Sequence, residues 1–206
     1  MRIIRIRAKS LAVATVLSCA LATPLAGAPT VLALHALSRP SGRASSDPCP
    51  NANLLPTPAN LGHVRAAVLC LVNQERVRDH ESPLRANGRL QQAAQGHSED
   101  MALGDYFEHV GPGGNTPLRR IRASGYIPSP RDGYAIGENI AWGTFSLATP
   151  QAIVAAWMAS PEHRANILEA RYRDTAVGVW PAAPASLAEG QSGAVYTQDF
   201  GVIVPG

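Results

Sequence analysis

The chain has 206 residues and a formal net charge of +3, with 46% hydrophobic and 16% charged residues. This length predicts one domain with an appendage, and the globular composition excludes disorder of the whole chain. Four basic residues lie within residues 2–9, ahead of the first acid, Asp47, and Lys9 is the only lysine. Without these four residues the chain has 14 basic and 15 acidic residues, so its net charge is close to zero. The densest remaining basic cluster, 119–122, is interpreted as the solvated face of a helix. We therefore expect no nucleic-acid partner.

The N-terminus has the features of a secretory signal peptide. A basic segment precedes an apolar stretch from Leu11 to Ala26, and small residues that suit cleavage follow within residues 22–36. The apolar stretch of about 16 residues is shorter than the roughly 20 needed to span a bilayer. A retained anchor and a lipid attached at Cys19 are the alternatives. We expect residues 1–36 to be removed, the mature chain to have no transmembrane span, and the protein to be secreted, either extracellular or held in the cell envelope.

Removal of this segment leaves two cysteines, Cys49 and Cys70. In an oxidising compartment an even pair predicts a disulfide. Two unrelated thiols are the alternative, because Cys70 lies between two leucines. Residues 37–60, rich in Pro, Ser and Asn, predict a linker that is tied down only at Cys49.

Helices are marked by apolar residues at spacings of three and four. The first is predicted over residues 60–78, with Asn60 as its cap, and the second over 88–104. Thr149-Pro150 and Ser160-Pro161 each predict a helix start, in which the hydroxyl caps the helix and proline takes the first position.

The remaining elements are loops and strands. Residues 111–134 contain five glycines and four prolines and predict loops around one short helix, 117–123. Residues 138–142 partly alternate and predict either a strand or a tight loop. The stretches 176–180 and 194–204 are rich in β-branched and aromatic residues and predict strands joined by a loop. Helices followed by an antiparallel tail indicate a layered α+β fold.

The polar residues with functional potential are His97, His109, Glu138, Ser160 and His163. His97 lies on the apolar face of its helix, which favours a hydrogen-bonded core histidine. Ser160 is explained as a helix cap, and the helix dipole would keep His163 neutral. A thiol nucleophile is not expected, because both exported cysteines are used in the bridge.

The order of the motifs is more informative than any single residue. The chain contains Gly137-Glu138-Asn139-Ile140, then Ser160-Pro161-Glu162-His163-Arg164-Ala165-Asn166-Ile167-Leu168, and then Tyr196-Thr197-Gln198-Asp199-Phe200-Gly201. Over about residues 61–204 this order closely resembles the bacterial branch of the CAP superfamily, named for cysteine-rich secretory proteins, antigen 5 and pathogenesis-related 1 proteins. The resemblance implies an α+β fold over residues 61–206, a three-layer α-β-α sandwich with an antiparallel central sheet.

The resemblance also implies a cleft lined by a tetrad of two histidines and two acids. The histidines correspond to His109 and His163 and the first acid to Glu138, whereas the position of the second acid holds Ser160. These four residues are the predicted binding cleft, and His109, Glu138 and His163 are the candidates for catalysis. The same three are a ligand set that Zn²⁺ accepts with one position left open; a plain hydrogen-bond network is the alternative.

Two functions are compatible with this pattern. The favoured one is a monomeric, non-enzymatic binding module whose cleft holds a small ligand, a lipid or a divalent metal. Its ligand or partner would be a cell-envelope component, a lipid or a protein. The alternative is a peptidase-like hydrolase, with His109 or His163 as general base and Ser160 or a metal-bound water as nucleophile. An acid that would orient the base is not evident in the sequence, which disfavours the hydrolase.

Overall fold

The computed structural model describes residues 49–205 and the backbone of a two-residue strand at residues 4–5. The predicted signal peptide, residues 1–36, and the first part of the predicted linker, 37–48, otherwise lie outside the described residues. Among the helices that are described, none is both long and apolar enough to cross a membrane.

The helices follow the predicted start and stop signals closely. They are α1 (Leu61–Arg78), α2 (Gly88–Leu103), α3 (Pro117–Ala123), α4 (Pro150–Ala159), α5 (Pro161–Ile167) and α6 (Ala185–Ala188), with 3₁₀ turns at Pro112–Gly114 and Phe145–Ala148. Thr149 caps α4 as predicted, since its hydroxyl accepts from the amide of Ala152. The cap prediction is wrong for Asn60, whose side chain makes no cap hydrogen bond and accepts instead from the amide of Thr57 at 2.8 Å.

A mixed sheet forms the middle of the domain. Its strands are β1 (Ile4–Arg5), β2 (Arg85–Ala86), β3 (Gly133–Thr144), β4 (Asp174–Trp180) and β5 (Gly193–Val204), in the order β1-β3-β5-β4-β2. The central strand, β5, pairs antiparallel with both β3 and β4, as predicted, whereas the two-residue edge strands run parallel to their neighbours. Residues 138–142 are a strand rather than a loop, because β3 pairs with β5 along its whole length.

Helices cover both faces of the sheet, which confirms the three-layer prediction. Neighbouring residues of a strand point to opposite faces. Ala141 of β3 packs in the cluster that contains Trp157 of α4, whereas Ile140 packs in the cluster that contains Met101 of α2. Residues next to each other on β3 can therefore contact helices of opposite layers.

Cys49 and Cys70 form the predicted disulfide. Closing a loop between residues 21 apart stabilises the fold by about 3 kcal/mol in the chain-entropy model.

The expectation that the linker is tied down only at Cys49 is wrong for its second half. Ala52 is buried, its carbonyl accepts from the amide of Gln151 at 2.9 Å, and Leu54 packs against the core.

Candidate functional site

Glu138 lies at the centre of the site, in the middle of β3, and is 1% exposed. Its Oε1 accepts from Nδ1 of His109 at 2.7 Å, and its Oε2 accepts from Nη2 of Arg120 at 2.6 Å. Desolvation alone would raise the pKa of Glu138, but the hydrogen bond from His109 and the charge of Arg120 outweigh it, so the pKa lies below its usual value. Glu138 is therefore an ionised carboxylate with both oxygen atoms occupied.

His109 is held by contacts to its ring and to its backbone. Nδ1 donates to Glu138, which fixes the orientation of the ring and leaves Nε2 as its other polar atom. Nη2 of Arg120 donates to the carbonyl of His109, and Nε2 of His97 donates to the carbonyl of Glu108, both at 3.0 Å. His97 is fully buried, which lowers its pKa to about 4 and keeps it neutral. The interpretation of His97 as a core histidine is confirmed, and its contact also anchors the loop that carries His109.

His163 enters the site from the first turn of α5 and is 2% exposed. Its Nδ1 lies 2.8 Å from Oγ of Ser160. Ser160 occupies the N-cap position but makes no cap hydrogen bond, so the capping explanation of this residue is wrong. Burial, followed by the proximity of His109, lowers the pKa of His163 to about 4. His163 is therefore neutral at pH 7, as predicted, and burial is the main cause.

Two pairs of the predicted site residues are in direct contact, His109 with Glu138 and Ser160 with His163. Nε2 of His109 and Nε2 of His163 are both buried and have no hydrogen-bond partner within residues 49–205. The effect of His109 on the pKa of His163 indicates that the two rings are near each other. An unpaired buried polar group costs about 1–3 kcal/mol. These two nitrogen atoms are thus the points at which a ligand would lower the free energy of the site.

Arg120 is a site residue that sequence reasoning missed. The interpretation of residues 119–122 as a solvated helix face is wrong for Arg120, which is 8% exposed. The guanidinium binds the carboxylate of Glu138 and donates to the carbonyls of His109 and Asn115. Its neighbour Ile121 is fully buried, and this apolar side chain is the one local signal that this part of α3 turns inward.

The zinc hypothesis needs His109, Glu138 and His163 as three ligands. Each oxygen of Glu138 already accepts a hydrogen bond, from His109 or from Arg120, so Glu138 serves to orient an imidazole rather than to bind a metal ion. The free donors that remain are two imidazole nitrogens. In the part of the chain that the structure describes, no group of three His, Cys, Asp or Glu side chains is arranged to hold a metal. The residues therefore do not fit a zinc site with three protein ligands.

One surface cavity lies beside Arg120 rather than at the histidines. It has a volume of about 420 Å³, is located between α2 and α3, and is lined by polar residues that include Gln92, Asp100, Asn115 and Arg119. Arg120 also lines it, but neither His109 nor His163 does. We place the candidate site at the histidines because two unpaired imidazole nitrogen atoms lie there, whereas the volume of a cavity identifies no chemistry.

The model of the cysteine-rich secretory protein family, CAP, matches residues 69–200. The chain belongs to the CAP family. The matched range includes every residue of the site described above, from His97 to His163. The recognition made from the order of the motifs is thereby confirmed.

This CAP protein is similar to two proteins of Bacillus subtilis (strain 168). It is 31% identical over 143 residues to uncharacterized protein YkwD, covering 69% of this chain and 49% of the relative. It is 32% identical over 112 residues to uncharacterized membrane protein YlbC, covering 54% of this chain and 30% of the relative. The chain thus spans half or less of the length of these relatives.

Two solved structures have a similar fold. An extracellular protein containing a SCP domain from Bacillus anthracis str. Ames matches with a TM-score of 0.55 and 26% identity, over 73% of this CAP chain and 44% of that chain. An outer surface protein from Borrelia burgdorferi matches with a TM-score of 0.51 and 16% identity, over 65% and 88% of the two chains, and supports the fold alone. The predicted fold class is confirmed by these similarities.

Proposed function

We propose that this CAP domain is an extracellular binding module in which His109 and His163 bind a small ligand. The observation that carries the proposal is the pair of buried Nε2 atoms without partners in the described chain. The signal-peptide pattern of residues 1–36 supports export. The likeness to an extracellular SCP-domain protein supports the same location.

The hydrogen bonds that the two rings already make limit the chemistry of the ligand. Nδ1 of His109 binds Glu138 and Nδ1 of His163 contacts Ser160, so the Nε2 atoms are left to meet a ligand. Burial lowers the pKa of His163 to about 4, so this ring is neutral. The pair therefore suits an uncharged polar group that can donate or accept a hydrogen bond, such as a hydroxyl or an amide. Cell-envelope glycopeptides carry both groups, and we take them as the ligand class.

The first prediction concerns this ligand class. Replacing both site histidines, in His109→Ala/His163→Ala, should weaken binding of soluble peptidoglycan fragments at least tenfold, because two hydrogen bonds of about 1 kcal/mol each are lost. Isothermal titration calorimetry on the full chain measures this change. A parallel titration with Zn²⁺ alone tests whether the two imidazole nitrogens bind a metal ion without a third protein ligand.

The matched control is His63→Ala/His80→Asn, which removes two exposed histidines outside the site. Asn is chosen at position 80 because His80 has a φ of 63°, which Asn tolerates better than Ala. The control should bind as the wild type does. Equal affinities of all three proteins for the fragments would refute the proposal. Native mass spectrometry that finds a lipid or a protein retained on the wild type would reassign the ligand class.

A hydrolase is the second candidate, and the contact between Ser160 and His163 favours it. A serine hydroxyl 2.8 Å from an imidazole nitrogen is the first half of a nucleophile–base pair. The second half is missing, because Nε2 of His163 has no orienting carboxylate within residues 49–205. We therefore expect no turnover of ester or peptide substrates by the wild type. Turnover that is abolished in Ser160→Ala and kept in the exposed control Ser192→Ala would establish the enzyme instead.

A further inference from the structure

Asp199 is a second buried acid next to the site. It lies on β5 directly opposite Glu138 on β3, and both side chains are buried, at 0% and 1% exposure. Directly opposed residues of antiparallel strands point to the same face, with Cβ atoms about 4.5–5.5 Å apart. Neither carboxyl oxygen of Asp199 has a hydrogen-bond donor among the described side chains and amides.

The donors that face this pair bind Glu138, and none among the described residues binds Asp199. From α3, Arg120 supplies one positive charge, and its Nη2 binds Glu138. From α2, His97 is neutral, with Nε2 4.0 Å from Oε1 of Glu138. His109 donates its Nδ1–H to Glu138 as well, and β4 places the uncharged Ala176 opposite Asp199. Two carboxyl groups this close in a dry environment cannot both ionise.

We propose that Asp199 is a positioning residue: it keeps its proton and donates it in a hydrogen bond to Glu138, which fixes the carboxylate that orients His109. The proton belongs on Asp199 because Glu138 already accepts from Arg120 and His109. Desolvation, followed by the charge of Glu138, raises the pKa of Asp199 well above its usual value, and Arg120 opposes the shift only in part. The functional role of this hydrogen bond rests on the proposed function, because the orientation of His109 affects function only if His109 binds a ligand.

The protonation of Asp199 can be measured without any ligand. In the ¹³C-labelled full chain at neutral pH, the carboxyl resonance of Asp199 should be that of a protonated acid and the resonance of Glu138 that of a carboxylate. An ionised Asp199 at neutral pH would overturn the proposal. This measurement uses the wild type, so it does not depend on whether a variant folds.

The positioning role requires a readout that loss of packing would not reproduce. Asp199→Asn keeps a donor toward Glu138 and should preserve the ¹⁵N imidazole shifts of His109, whereas Asp199→Leu removes the donor and should change them. Equal shifts in both variants and the wild type would overturn the positioning role. The control Asp174→Asn alters another acid, which accepts from Tyr126 and Arg85 and has no contact with Glu138 among the described hydrogen bonds; it should leave the His109 shifts unchanged.

The same proton makes stability depend on pH with a defined sign. The unfolded chain loses the Asp199 proton near pH 3.9, whereas the folded chain keeps it to a higher pH. Wild type should therefore lose stability relative to Asp199→Asn as the pH rises above about 4, by up to tenfold in the folding equilibrium constant per pH unit. If the ratio of the folding equilibrium constants of wild type and Asp199→Asn does not change with pH, the proposal is contradicted. Failure of ligand binding would leave both Asp199 results intact, so the two proposals are tested separately.

Discussion

Arg120→Met is expected to destabilise the protein by about 3–5 kcal/mol at neutral pH, because it leaves a buried charge without its partner. The methionine keeps the apolar volume but removes the donor to Glu138 at 2.6 Å and the donor to the carbonyl of His109 at 3.0 Å. Glu138 is 1% exposed, so water cannot replace the lost contact. Urea unfolding of the full chain, followed by circular dichroism, measures the change.

The penalty of Arg120→Met should depend on pH. Arg120 is one of the groups that hold the pKa of Glu138 below its usual value. A carboxylate of this kind stabilises the fold above its unfolded pKa, about 4.3, and the contribution is lost as the pH falls through the lower folded value. The difference between variant and wild type should therefore shrink from neutral pH to below about pH 4.

Arg119→Met is the matched control for this change, since Arg119 is the preceding residue of α3 and is exposed. Its effect should lie within about 0.5 kcal/mol of wild type. A penalty for Arg120→Met as small as that of the control would show that the buried pair does not hold the site together.

The start and stop signals in the sequence are local, and for that reason they predict the helices well. Thr149 followed by proline marks α4 because a hydroxyl cap and a fixed proline φ act within one turn. Ser160 shows the limit of the same rule. The sequence Ser-Pro is again followed by a helix, but the hydroxyl is taken by His163, whose position depends on how α5 packs. A side chain with two available partners cannot be assigned from local sequence.

The charged part of the site depends on contacts between distant residues. The histidines and Glu138 were predicted from the resemblance, which identifies positions and not partners. The role of Asp199 follows from the register of β3 and β5, because only strand pairing places it opposite Glu138. Arg120 is polar, in a short helix with other arginines, and the partners that keep it buried are 11 and 18 residues away. Composition and periodicity carry no information about such partners.

Arg76→Met is expected to destabilise the protein by about 3–5 kcal/mol, comparable to the loss of a buried ion pair partner. Arg76 lies on the buried face of α1, four residues after Val72, and is 0% exposed. Its Nε donates to the carbonyl of Ser82 at 2.8 Å, and Nη1 donates to the carbonyls of Ile167 at 2.7 Å and Glu169 at 3.1 Å. Each buried carbonyl that loses its donor costs about 1–3 kcal/mol.

The effect of Arg76→Met should extend to the functional site, because Ile167 is the last residue of α5 and His163 lies on the same helix. We expect the His163 imidazole resonances to shift in the variant before global unfolding occurs in a urea titration. Arg78→Met is the matched control: Arg78 is two residues further along α1, 65% exposed, and pairs with Glu75 at the surface. Surface pairs of this kind contribute about 0–1 kcal/mol, so the control should remain near wild type. Unchanged His163 resonances in a folded Arg76→Met protein would show that α5 is positioned by its packing on β3 and α4 instead.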